Sequence, residues 1–199
     1  MGLDYTFQVF VHRDRAIPLL RTIAENMAAR NRPDRTVVEI AGQRITMPCT
    51  TNFRSGTTVR LDPDAGRNYL ELALEFEPDD ELRTYHRTDG GSSPCVIGVI
   101  YLLVRDASWL APDQLEFGFT AATTGMSILF QMSGSVRNWF ADLTIDNGGP
   151  LCLLDQEQGP ELGYSPGYFD VVSAGTRRVH KHVNGSRRDI AMHFGLLPD

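Results

Sequence analysis

The sequence predicts an α+β protein, with a mixed, largely antiparallel sheet and about three helices packed on it. Three observations carry this. Runs such as "YTFQVFV" (5–11) and "NYLELALEFE" (68–77) alternate apolar with polar side chains, the period of a half-buried strand. The segments 15–30, 133–148 and 166–183 space their apolar residues by three and four, the period of a helix face. Clusters of Gly, Pro, Asn and Asp punctuate the chain between them.

Taken in order, strand 5–11 leads into a helix over 15–30 that carries Ile17, Leu20, Ile23, Ala24 and Met27 on one face. Pro18 fits its first turn, where a missing N–H costs little, and Asn31 and Pro33 stop it. "TVVEIAGQRITMP" (36–48) reads as two short strands about Ala41-Gly42-Gln43. Residues 49–61 are polar and turn-rich, with Arg54 and Phe53 as the side chains that could meet an anion or an apolar surface. "DPDAG" (62–66) is a turn. It departs from a calcium loop because Ala73 stands where the bidentate Glu belongs. In 68–77, Leu70, Leu72, Leu74 and Phe76 face inward and Glu71, Glu75 and Glu77 outward. "TDGGSSP" (88–94) is a flexible joint, so a single α+β domain over 1–199 has room for two lobes meeting there.

"CVIGVIYLLVRD" (95–106), rich in β-branched residues, reads as a central strand buried on both faces. "LEFGFTA" (115–121) and "MSILFQM" (126–132) read as a hairpin. A helix over 133–148 follows, capped by Ser135 and stopped by Asn147-Gly148, and then a strand at 150–155. The conspicuous "RRVHKHVNGSRR" (177–188) reads as the end of a helix from Pro166, because Phe169, Val172, Thr176, Val179 and Val183 form one stripe and Gly185 supplies the stop. A hairpin about Asn184-Gly185 is the alternative; it is disfavoured because its face would mix valines with Arg177, Lys181 and Arg188. "RDIAMHF" (188–194) closes the chain as a strand. The C-terminal order is then β-α-β-α-β, with right-handed crossovers and roughly parallel strands near 126–132, 151–155 and 189–194. One or two ferredoxin-like modules fit this order.

Composition bounds the function. The net charge of -6 over 199 residues argues against general nucleic-acid binding, which needs a basic surface. The positive charge is local: Arg177, Arg178, Lys181, Arg187 and Arg188 form a basic surface within 177–188, and Lys181 is the only lysine in an arginine-rich chain. Cys49, Cys95 and Cys152 lack paired spacing and read as buried thiols rather than a disulfide framework. No signal-peptide pattern opens the chain, and "VIGVIYLLV" (96–104) is about half a bilayer span, so a cytoplasmic protein without membrane contact is expected.

No nucleophile elbow, zinc motif, phosphate-binding loop or kinase signature appears. No cofactor and no metal is therefore expected. On a helix, His180 and His182 would point about 200° apart and could not chelate one ion together. Two stretches could hold a ligand. Ser133-Gly134-Ser135 enters a helix N-terminus, where free N–H groups suit an anion. Asp155 and Glu157 leave the neighbouring strand and could act as acids or bases. The leading expectation is a non-catalytic binding or protein-interaction module, with a protein partner or self-association as a homodimer and an immunity- or inhibitor-like role as one form. The alternatives are a small-molecule enzyme with its site at the carboxyl ends of the C-terminal strands, and, less favoured, a nucleic-acid accessory factor.

Overall fold

The computed structural model describes residues 3–27, 35–87, 93–157 and 167–198. Seven strands, β1 (Thr6–His12), β5 (Tyr69–Phe76), β6 (Cys95–Asp106), β7 (Gln114–Ala121), β8 (Leu151–Asp155), β9 (Gly167–Ala174) and β10 (Arg177–Gly185), form one sheet. Its order is β10-β9-β8-β1-β7-β6-β5, and every neighbouring pair is antiparallel. A smaller sheet of β2 (Thr36–Ile40), β3 (Gln43–Met47) and β4 (Thr58–Arg60) has the order β3-β2-β4, with β4 parallel to β2. The helices are α1 (Ala16–Asn26), α2 (Asp80–His86), α3 (Thr124–Met132), α4 (Gly134–Asp146) and α5 (Arg187–His193).

The α+β class with mostly antiparallel sheets is thus the observed one, with five helices among the described residues rather than about three. The strands β8-β1-β7-β6 have the order of a ferredoxin-like module. β7 and β8 run parallel across β1, and β1 and β6 run parallel across β7. The first crossover of this module is long, holding α1, the small sheet, β5 and α2; the second holds α3 and α4.

Alternation along β1 explains the layers. Phe7, Val9 and Val11 enter the main core with Ile17, Leu20 and Ile23 of α1 and Phe130 and Phe140 of α3 and α4. Phe10 points to the opposite face and joins Leu153, Val171, Ile190 and Ala191 beneath α5. Phe140 fixes α4 on the sheet: its ring stacks on Phe7 at 4.0 Å and meets Phe76, Phe119, Phe130 and Trp139. Cys49, Cys95 and Cys152 are buried and none is in a disulfide. Burial pushes the Cys152 thiol up to about 12.

Several expectations are corrected. Residues 126–132 are helix α3, because Thr123 accepts a bond from the Met126 N–H and caps it, while Met126, Leu129 and Phe130 bury one helical face. The cap of α4 is Ser133, not Ser135. The expected helix from Pro166 to Val183 is, over its described residues, the hairpin β9–β10; Pro166 itself lies outside them. The turn is Gly175-Thr176, not Asn184-Gly185, with Gly175 at φ +58 where a type II′ turn requires glycine. The aromatic and β-branched run "YFDVV" buries on both faces of β9, which a single helical stripe does not do.

Residues 187–193 are helix α5 rather than a strand, set by a capping box between Ser186 and Asp189. The C-terminal order is therefore β-α-α-β-β-β-α. β6 lies second from an edge and buries only Ile100, Leu102 and Val104 over its second half, so it is not a two-sided central strand. β5 and β6, on either side of 88–94, are hydrogen-bonded neighbours; residues 88–92 lie outside the described ones.

Candidate functional site

The Ser133-Gly134-Ser135 turn joins α3 to α4, and it holds a carboxylate of the chain itself. The Ser133 hydroxyl donates to Asp79 Oδ2 at 2.7 Å, and the Ser135 N–H donates to the same oxygen at 3.0 Å. The other oxygen, Oδ1, accepts from the Leu82 N–H at 2.9 Å and so caps α2. Burial raises the Asp79 pKa, but the bonds from Ser133, Ser135 and Leu82 outweigh it and hold the carboxyl below its ordinary value. The turn has the anion affinity expected of a helix N-terminus, with an internal anion as its ligand.

This tie brings α2 against α3 and leaves a groove between them of about 400 Å³. Tyr85, Ile128, Leu129 and Met132 supply its apolar lining, and Asp80 and Glu81 its charged flank. Gly125 forms part of the floor, since a Cβ there would come within 3.3 Å of the Tyr85 ring. Five large hydrophobic side chains are exposed among the described residues. Three of them, Tyr85 (42%), Ile128 (48%) and Met132 (57%), meet in this groove. Scattered exposed apolar residues are ordinary, but a contiguous cluster is not.

Asp155 and Glu157 lie elsewhere. Asp155 accepts from Gln8 Nε2 at 3.2 Å and from the Glu157 N–H at 3.0 Å. Glu157 accepts from the Asp4 N–H at 3.3 Å, and its pKa is raised, first by burial and then by the charges of Asp4 and Asp155. Among the described residues, no hydrogen bond or ion pair joins Ser133 or Ser135 to Asp155 or Glu157.

The basic run is divided by the hairpin and α5. Arg178 pairs with Asp142 of α4. Arg187 donates to Glu116, which is 2% exposed and also paired with Arg105. Lys181 meets His193 at 3.2 Å. Arg177 and Arg188 make no ion pair among the described residues. Arg177, Arg178, Lys181 and Arg188 are exposed, and Arg187 is half-buried.

Sequence reasoning missed Asp170. It is 7% exposed on β9, and its Oδ2 accepts from Arg137 at 2.7 Å and Gln156 at 3.2 Å, while Oδ1 meets His182 Nδ1. Tyr168 packs on the His182 ring at 3.8 Å. The helical argument that separated His180 from His182 falls with the helix, and Asp170 lies directly across the ladder from His182. His180 is pushed below the ordinary imidazole value, first by burial and then by Arg137 and Arg178. A carboxylate-oriented imidazole is the arrangement of a general base. Here it also fastens β9, β10 and α4 to one another.

Among the described residues, no helix is long and apolar enough to cross a membrane, and no group of three or more His, Cys, Asp or Glu is placed to hold a metal ion. Comparison with protein-family models, curated proteins and solved structures gave no match.

Proposed function

We propose that the chain is a non-catalytic protein-interaction module whose partner docks in the groove between α2 and α3. An immunity- or inhibitor-like role is one form of this reading. The observation that carries it is the meeting of Tyr85, Ile128 and Met132 in one groove, since large exposed apolar side chains gathered in one place mark contact surfaces. The alternative of a small-molecule enzyme needs Ser133 and Ser135 beside Asp155 and Glu157, and these groups belong to separate networks.

The test is photo-crosslinking in the native cell, with the reactive side chain at Ile128 and, as a control, at Arg177. A protein captured from Ile128, not from Arg177, and lost on Met132→Asp is the expected result. Equal capture from both positions, or capture unaffected by Met132→Asp, would reject the groove as the docking site.

A further inference from the structure

We infer that the groove takes a basic amphipathic helix of a partner protein; this rests on the docking reading above and adds the chemistry of the occupant. The shape comes from α3. Gly125, Ile128 and Met132 follow one another at spacings of three and four, the seam by which one helix packs on another. α2 borders this seam through Tyr85, yet Ile128 and Met132 remain about half exposed, at 48% and 57%. A partner helix with apolar residues at i, i+3 or i+4, and i+7 completes the seam, which is how helices commonly enter grooves. The unbranched thioether of Met132 lets the surface adapt to the incoming side chains.

The charge comes from α2. Asp80 and Glu81 are the charged residues on the groove lining, and both are acidic. Among the described residues the Asp80 carboxylate pairs with Arg83 alone, in an exposed contact at 3.1 Å that exchanges readily for another cation. Glu81 makes no ion pair among the described residues. Glu77, just before α2, is also exposed, while the cations of α2, Arg83 and His86, and Arg87 at its end are not on the groove lining. Lys or Arg flanking the apolar stripe of a partner helix would meet these acids, whereas an acidic helix would bury the same apolar surface against like charge.

The probe is a synthetic helix of Leu and Lys about fifteen residues long, the length at which an isolated helix becomes appreciable. A second peptide carries Glu in place of every Lys. Binding is followed by titration and by the NMR methyl signals of Ile128 and Met132. The Leu–Lys peptide should move both signals, the Leu–Glu peptide neither. Ile128→Ser with Met132→Ser should abolish binding, and Glu81→Lys should weaken it roughly fivefold to tenfold. Because an acidic protein attracts basic peptides broadly, Leu–Lys binding that survives the double serine change counts against the proposal. If both peptides move the methyl signals equally and Glu81→Lys has no effect, the basic helix is wrong while the groove stands. If neither peptide moves them, the helical occupant is rejected, and the crosslinking from Ile128 decides the groove separately.

Discussion

The seven-stranded sheet ends in two edges that are protected in different ways. At β5 the chain seals its own edge. Leu74 bridges to Met27, Glu71 bridges to Thr50, and the Glu71 carboxylate, 2% exposed, accepts from the Thr50 hydroxyl at 2.5 Å and the Phe53 N–H at 3.0 Å. At β10 no covering strand appears among the described residues. The edge instead has a register shift between Arg178 and Lys181 and a run of basic side chains, both of which discourage pairing with another strand. The first edge is closed by bonds made within the chain. The second is kept apart by charge and local twist, so its integrity depends on the Asp170 network behind it.

The largest effect should come from that network. Asp170→Ala leaves Arg137 nearly buried without its carboxylate, at a cost of about 3–5 kcal/mol in chemical denaturation. A loss below 1 kcal/mol would mean that the β10 edge stands without this support. Next, Glu71→Ala should cost about 2 kcal/mol and abolish hydrogen-exchange protection of the Phe53 amide. Unchanged protection would show that the β5 edge is sealed by something other than Glu71.

Asp79→Ala, beyond the end of β5, should cost about 1 kcal/mol near neutral pH. Because the folded-state carboxyl is held below its ordinary value, its contribution is present above that value and lost as the pH falls through the lowered one. The gap between wild type and variant should therefore close on acidification below about 3.9. The smallest stability effect, within about 0.5 kcal/mol, belongs to Arg177→Val with Lys181→Val. That pair should instead increase self-association in sedimentation, as bared strand edges do.

Much of the first half was legible because its periods are unambiguous: β1, α1, the β2–β3 pair and β5 fall where alternation or helical spacing puts them. Glu71 is the exception within β5, since the chain that buries its outer face lies about twenty residues earlier, a relation no local pattern holds. α2 was missed as too short for a period, although Asp79 three places before Leu82 is an N-cap signal. The C-terminal half misled where two periods compete. β9 and β10 share a stripe that also fits a helix, and "SRRD" hid a capping box across the expected helix stop and the start of the expected last strand.

The groove was hidden in a similar way. Ile128 and Met132 made 126–132 look alternating; in the helix they are the apolar residues left outside. Local rules often fail where a surface serves something beyond folding. The Ser133–Ser135 turn was singled out for a sound electrostatic reason, but its ligand lies 54 residues away in sequence.

The place of β1 has a consequence for how the chain is made. It lies in the middle of the sheet, and Thr6 pairs with Thr120 on one side and Asp155 on the other. A ribosome therefore releases this strand long before either neighbour exists; 114 residues separate the facing hydroxyls of Thr6 and Thr120. Sheet assembly cannot begin at its centre during synthesis, and the nascent apolar strand needs shelter until β7 emerges. Deleting β1 would split the sheet between β7 and β8 instead of shortening an edge.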